Sequence, residues 1–364
     1  MSAAKTIAGD GEDVEPSVAQ LETISFEALR SGNTAETAKL FDVCCRDGIF
    51  YLDMLGSEPN VLQTVEDIYE LENKMFDLPE DELMLYDIDK LSLRKLNGFA
   101  TLISLLRDGS RLSKDPRYKP IGRNHGELAG NKDGFQSYAL PKDGIMKLGR
   151  EADFKRPQVV DTYMPSLHRF ARAISAAASA ILLALSSNLM LQSNENLNNV
   201  HRTHLPSPDL VRLLKYHAQP PSESGSSHVP HTDLGSMTFL FTKQHGLQVI
   251  GSESQEWEYV QPRAGCATVN IGDSLSLLTN KLLRSCRHRV SALPGQAMNE
   301  RYSFAYFLRA EDETLMRAVK SPLVSEGGRD EEEVFTSGEW MKMKYAMLRK
   351  DTWNQNDNWI LTGA

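Results

Sequence analysis

His231 and Asp233 stand two apart in Pro230-His231-Thr232-Asp233, and a second histidine, His288, lies 55 positions beyond Asp233 in Ser285-Cys286-Arg287-His288-Arg289-Val290. Two imidazoles and one carboxylate are the donor set that holds Fe(II) on one face and leaves its other coordination positions open. On an extended strand residues i and i+2 point the same way, so His231 and Asp233 can converge on one ion. The distant His288 then requires a fold that brings remote strands together. Arg301 and Ser303, again two apart, lie further on, where they could bind a dicarboxylate beside the metal.

Nine histidines are present, so a lone His-x-Asp carries little weight, and the reading rests on the full set. His228, three before His231, is a competing ligand; an i, i+3 pair in extended chain points to opposite faces, which predicts that His228 stays out of the metal's ligand shell. His245 beside Gly246 reads as a turn residue. For Arg301 the alternative is a structural salt bridge.

The elements that must position these residues are short strands. Val211–His217, Ser236–Thr242, Leu247–Ile250, Glu256–Val260, Ala267–Ile271, Leu283–Val290 and Tyr302–Leu308 are separated by Gly, Pro and Ser breaks, a grammar of sandwiches and barrels. Before them the chain mixes classes. Residues 1–17 read as an acidic mobile leader. A short strand, Thr23–Phe26, precedes a helix over Thr34–Asp47 with Ala38, Leu40, Phe41, Val43 and Cys44 as inward candidates. The strand Gly48–Leu52 and a helix over Asn60–Phe76, ended at Leu78-Pro79, come next. Asp87–Met146 has no clear period and reads as polar and aromatic loops, a common location for function.

Ala173–Leu191 runs nineteen residues without a charge, close to a bilayer span. It carries Ser175, Ser179, Ser186, Ser187 and Asn188, which are costly in lipid, and Leu167, Phe170, Ile174, Ile181, Leu185 and Leu189 recur at helical spacing. This predicts a long buried core helix, from just after Pro157 to about Leu191, and no membrane partner. Glu331–Leu348 returns to helix. The fold expected is α+β with a mainly β core, divided as leader 1–17, an N-terminal α/β region 18–200, a jelly-roll core 201–312 and a C-terminal helical segment 313–364 closing the site. A net charge of -9, with 24% charged and 41% apolar residues, is ordinary for a soluble domain and argues against a nucleic-acid partner. Cys44, Cys45, Cys266 and Cys286 form no CxxC pair, which together with the absence of a signal-like apolar segment at the start points to reduced thiols and a cytoplasmic setting. A monomer or weak homo-oligomer is expected.

At the level of motifs, Pro230-His231-Thr232-Asp233-Leu234-Gly235-Ser236-Met237-Thr238, Gly246-Leu247-Gln248-Val249, Asn270-Ile271-Gly272-Asp273, Leu278-Thr279-Asn280, His288-Arg289-Val290 and Arg301-Tyr302-Ser303-Phe304 together resemble the Fe(II)- and 2-oxoglutarate-dependent oxygenases of the isopenicillin N synthase-like group. Asp47-Gly48-Ile49-Phe50-Tyr51 is similar to that group's glycine-aromatic strand, so the resemblance spans about residues 20 to 310. It implies a double-stranded β-helix with helices packed outside, His231, Asp233 and His288 as iron ligands, and Arg301 and Ser303 on the distal carboxylate of 2-oxoglutarate, a planar fork meeting a carboxylate. Tyr216 matches the tyrosine of the group's Asn-Tyr-Tyr-Pro segment and would help hold the cosubstrate. The chain departs there: Leu214 replaces the asparagine, and Ala218-Gln219 separate His217 from Pro220-Pro221.

The resemblance implies an oxygenase that uses Fe(II), 2-oxoglutarate and O2 to hydroxylate, desaturate or cyclise a small organic substrate of specialised metabolism. Arg123, Phe135, Tyr138 and Tyr306 are the candidate substrate contacts, and the polar character of Arg117–Asn131 favours a substrate with polar groups. Two other readings stay open: an oxidase of the same fold that does without 2-oxoglutarate, and a non-catalytic jelly roll that binds a sugar or a partner.

Overall fold

Alternating side chains need two surfaces to face, and two sheets supply them. The computed structural model describes residues 16–54, 61–87, 117–124, 132–149, 152–219, 226–293, 296–325 and 334–348. The expected leader up to residue 15, Pro294-Gly295, the Pro220-Pro221 pair and the end of the chain from Asp351 to Ala364 lie outside them, as does most of Asp87–Arg117. The described strands are β1 (Thr23–Ser25), β2 (Ile49–Asp53), β3 (Tyr118–Lys119), β4 (Phe135–Pro141), β5 (Leu210–Tyr216), β6 (Ser226–His231), β7 (Met237–Thr242), β8 (Leu247–Ile250), β9 (Trp257–Tyr259), β10 (Cys266–Ile271), β11 (His288–Ser291) and β12 (Arg301–Leu308). One sheet has the order β1-β2-β10-β7-β12-β5-β4-β3 and the other β6-β11-β8-β9. From β5 to β12 the chain crosses repeatedly from one sheet to the other, which is the double-stranded β-helix.

Register fixes what each face presents, because residues directly opposite share a face. Arg301, Ser303 and Ala305 on β12 lie opposite Tyr216, Leu214 and Arg212 on β5, and these lie opposite Phe135, Ser137 and Ala139 on β4. That set forms the inner face, where Phe135, Leu214 and Tyr216 pack with Val290 of β11. The alternate residues, Phe304 and Tyr306 among them, turn outward onto helices.

The α-helices among the described residues are α1 (Phe26–Arg30), α2 (Thr34–Arg46), α3 (Val61–Phe76), α4 (Glu80–Leu83), α5 (Lys142–Ile145), α6 (Gln158–Asn188), α7 (Asp273–Leu278) and α8 (Ser337–Leu348), and α3, α5 and α6 pack on that outer face. α6 is the expected long helix. Leu167, Phe170, Ile174, Ile181, Leu185 and Leu189 are all fully buried, and α6 packs on α2, α3 and β12. Phe170 meets Phe241, Phe304 and Tyr306 edge-on at 5.4, 5.5 and 6.4 Å. The charge-free run is mostly buried, with Leu183 and Met190 its exposed apolar residues.

Several boundaries differ from expectation, each for a local reason. Within the stretch expected to be loop, β3 and β4 form, and β4 is buried along nearly its whole length, so it lacks the one-sided alternation that marks a strand. Leu283–Arg287 is not strand; the pairing begins at His288. Ala38 is exposed while Leu40, Val43 and Cys44 are buried. Phe26 starts α1, capped by the Ser25 hydroxyl accepting from Ala28 N. The C-terminal helix begins at Ser337. Strands β1 to β4 extend the same sheet as β5, β7, β10 and β12.

Candidate active site

His231 and His288 are cross-strand partners in the β6–β11 pair, with ring centroids 4.3 Å apart. Asp233 lies just past the end of β6 rather than on it, so extended-strand alternation is not what aims its side chain. Two bonds from the opposite sheet do so: Thr238 Oγ1 of β7 donates to Asp233 Oδ2 at 2.6 Å and Asn270 Nδ2 of β10 donates to the same oxygen at 2.9 Å. The other oxygen, Oδ1, faces His231 Nε2 and His288 Nε2 at 3.9 Å each. The ligand atoms of the three residues lie within 4.8 Å of one another, the one such His/Asp cluster among the described residues. The loop that carries Asp233 is anchored by Asp273 N donating to Asp233 O at 2.7 Å. Gly272 permits this approach, since a Cβ there would fall 2.2 Å from Gly235 O and 2.8 Å from Asp233 O.

The electrostatics suit a divalent cation. His231 Nδ1 lies 2.7 Å from Val229 O and His288 Nδ1 3.1 Å from Cys286 O; a proton on each Nδ1 leaves each Nε2 as a lone pair. Burial, helped by the nearby His288, pushes His231 down to about 4, so its imidazole is neutral at pH 7. Burial alone would raise Asp233, but His288, His231 and the two hydrogen bonds hold it below its ordinary value. A carboxylate and two imidazoles, each with its Nε2 turned to Asp233 Oδ1, thus converge, a donor set that fits Fe(II).

Arg301 is 2% exposed. Its Nε donates to His245 O at 3.1 Å and its Nη1 to Ser303 Oγ at 3.0 Å, while Nη2 has no hydrogen-bond partner. Its guanidinium lies 5.0 Å from the Tyr216 ring centroid. His245 is indeed a bend residue, and it serves through its carbonyl. Glu72 on α3 is fully buried nearby and accepts from Leu214 N at 2.9 Å. Burial raises its pKa to about 8, so at neutral pH it is largely uncharged and leaves the charge of Arg301 unmatched. A buried guanidinium with an unsatisfied nitrogen is costly without an anion, so this end of the face is suited to one.

His228 is outside the metal cluster, as expected, but the premise that it points to the opposite face from His231 does not hold. Val290 pairs with His228 while His288 pairs with His231, so β6 carries one residue more than β11 between those pairs. This bulge turns His228 to the same side as His231, and their rings stack at 4.1 Å. Phe135 continues the wall, 4.4 Å from His228 and 5.4 Å from Tyr216. Of the residues expected to contact substrate, Phe135 alone is placed beside the metal cluster. Tyr138 lies opposite Leu213 on the helix-facing side, its ring 6.0 Å from Tyr86. Tyr306 faces the same way and donates to Asp209 Oδ2 at 2.9 Å. Both assignments are corrected by strand parity. Arg123 Nη2 is paired with Asp87 Oδ2 at 2.8 Å. Thr238, Asn270, Glu72 and the buried Lys119–Asp133 pair at 2.7 Å were not singled out from sequence. Thr238 and Asn270 stand within motifs that were, whereas Glu72 reads only as a polar residue on an amphipathic helix.

Comparison with known proteins agrees with this geometry. The profile of the 2OG-Fe(II) oxygenase superfamily matches residues 208–310. The chain is 30% identical over 345 residues to the 2-oxoglutarate-dependent dioxygenase gloE of Glarea lozoyensis, covering 95% of this chain and 93% of that one. It is 30% identical over 344 residues to the 2-oxoglutarate-dependent dioxygenase frbH of a Dothideomycetidae species, covering 94% and 95%. Among solved structures, a full-length Neurospora crassa protein in complex with alpha-KG superposes with a TM-score of 0.69 at 19% identity, over 91% of this chain and 99% of that one. With near full-length relatives on one side and a His-Asp-His cluster beside a buried arginine on the other, this chain belongs to the 2OG-Fe(II) oxygenase superfamily and is an Fe(II)- and 2-oxoglutarate-dependent dioxygenase.

Proposed function

We propose that His231, Asp233 and His288 hold the iron, that Arg301 and Ser303 take the distal carboxylate of 2-oxoglutarate with Tyr216 flanking it, and that the reaction is hydroxylation, desaturation or ring closure of a small molecule in specialised metabolism. The observation that carries the assignment is the division of labour at Asp233, with one oxygen tied to the large sheet and the other turned to two imidazole nitrogens. The similarity to fungal dioxygenases over nearly the whole chain supports the substrate class. Iron, 2-oxoglutarate and O2 together supply the oxidising equivalents, with succinate and CO2 as co-products.

The protein's own part is orientation and exclusion of water. Val229 O and Cys286 O fix the imidazole rings, Thr238 and Asn270 fix the carboxylate, and the Phe135–His228 wall shields one side of the cluster. Measuring labelled CO2 released from 2-oxoglutarate against O2 consumed, in a substrate screen read by succinate, tests the reading. One CO2 per O2 is expected; O2 uptake without decarboxylation would point to an oxidase instead. Asp233→Ala should abolish iron binding in an anaerobic titration.

A further inference from the structure

We propose that Arg212 is the substrate anchor of this site and that the substrate is a carboxylic acid. The inference rests on the iron and 2-oxoglutarate reading given above and adds the chemical class of the molecule oxidised.

Arg212 is on β5, two residues from Leu214 and four from Tyr216, and so on the inner face with them. Its neighbours across both flanking strands are alanines, Ala139 on β4 and Ala305 on β12. Methyl groups on both sides leave room around a long side chain. Its guanidinium carbon lies 5.0 Å from the Phe307 ring centroid. Phe307 in turn is paired with Thr238, the residue whose hydroxyl holds Asp233. Arg212 therefore reaches toward the metal end of the face, while Arg301 and Ser303 occupy the other end.

A second cation on this face shows what is missing. Lys119 lies opposite Ser137, and its Nζ is matched by Asp133 at 2.7 Å. Among the described residues, Arg212 makes no ion pair and no hydrogen bond; its one partner is the Phe307 ring. Arg212 and Phe307 are both only partly buried, so the edge of the guanidinium is open to a ligand. A half-buried cation beside a neutral aromatic wall favours an anion, and a planar fork stacked on a ring presents its edge to the two oxygens of a carboxylate. Phe307 and Phe135 offer apolar surface to the body of the acid.

The test uses full-length protein with Fe(II) and saturating 2-oxoglutarate in the absence of O2, so that the Arg301 site is filled. Phenylacetate, cinnamate and octanoate are each titrated against the corresponding primary amide, with binding read from the visible absorption band of the iron–2-oxoglutarate complex and from ligand-observed NMR. We expect at least one acid to bind about ten- to a hundredfold tighter than its amide. Arg212→Gln should erase that difference, Arg212→Lys should keep part of it, and the half-saturation for 2-oxoglutarate should not change in either variant. Equal binding of acid and amide, no acid binding, or a preference that survives Arg212→Gln would overturn the proposal while leaving the cosubstrate assignment intact. Failure of the 2-oxoglutarate band to form in the unsubstituted protein would overturn both.

Discussion

Asp233 turns its two oxygens to different tasks, and that asymmetry suits the cluster to a metal ion better than to a buried hydrogen-bond network. Because Thr238 and Asn270 both donate to Oδ2, removing either loosens the carboxylate without removing a ligand. Asn270→Ala should weaken iron binding about 10- to 100-fold, measured by anaerobic titration, with the unfolding midpoint little changed; unaltered affinity would mean that Thr238 alone sets the geometry. Glu72 gives a different signature at the same scale. Burial raises its folded-state pKa to about 8, above the ordinary value of about 4.3. The neutral acid therefore stabilises the fold below the unfolded pKa, and that contribution is lost as pH rises from there through about 8. Glu72→Gln keeps a neutral acceptor for Leu214 N and should flatten the dependence of thermal midpoint on pH across that window. Parallel curves for the two proteins would refute the assignment of a neutral acid.

At the scale of elements, close approach and parity do the positioning. The bulge in β6 sets His228 against His231. Gly272 lets the β10–α7 junction pass against the backbone of Asp233 and Gly235. Gly272→Ala would drive a methyl group into backbone atoms that have no side-chain freedom with which to yield. It should lower both the thermal midpoint and metal affinity, and a crystal structure with the loop unmoved would contradict this account. On the other face, Phe170 of α6 fills the space between Phe241, Phe304 and Tyr306. Phe170→Ala should cost about 3–5 kcal/mol of stability by leaving a cavity, read from denaturant unfolding.

For the whole molecule, the two sheets hold different parts of the chemistry. The imidazoles belong to the smaller sheet and the arginine–serine pair to the larger one, with Asp233 tied across by hydrogen bonds. The two binding functions are therefore separable. Arg301→Ala should raise the apparent constant for 2-oxoglutarate while iron still binds, and an unchanged constant would remove Arg301 from the cosubstrate site. How far this was legible in advance follows from the same division. His231, Asp233 and His288 could be nominated, and are brought together, because metal chemistry restricts residue type; Arg301 and Ser303, bonded to each other, could be nominated for a carboxylate on the same ground, and α6 was legible because its apolar period is long. β3 and β4 were not legible because a strand buried on both faces has no alternation to show. Tyr138 and Tyr306 were misplaced because an aromatic residue looks the same in sequence whichever face it takes.

By itself, then, the sequence determined which side chains can do the chemistry, since few residue types bind a ferrous ion or a dicarboxylate. Tertiary structure decided which of the remaining polar groups serve them. Thr238, Asn270 and Arg212 are placed by register, which arises from pairings between strands far apart in the chain, and Glu72 by the packing of α3 on β5 and β12; no local pattern specifies either.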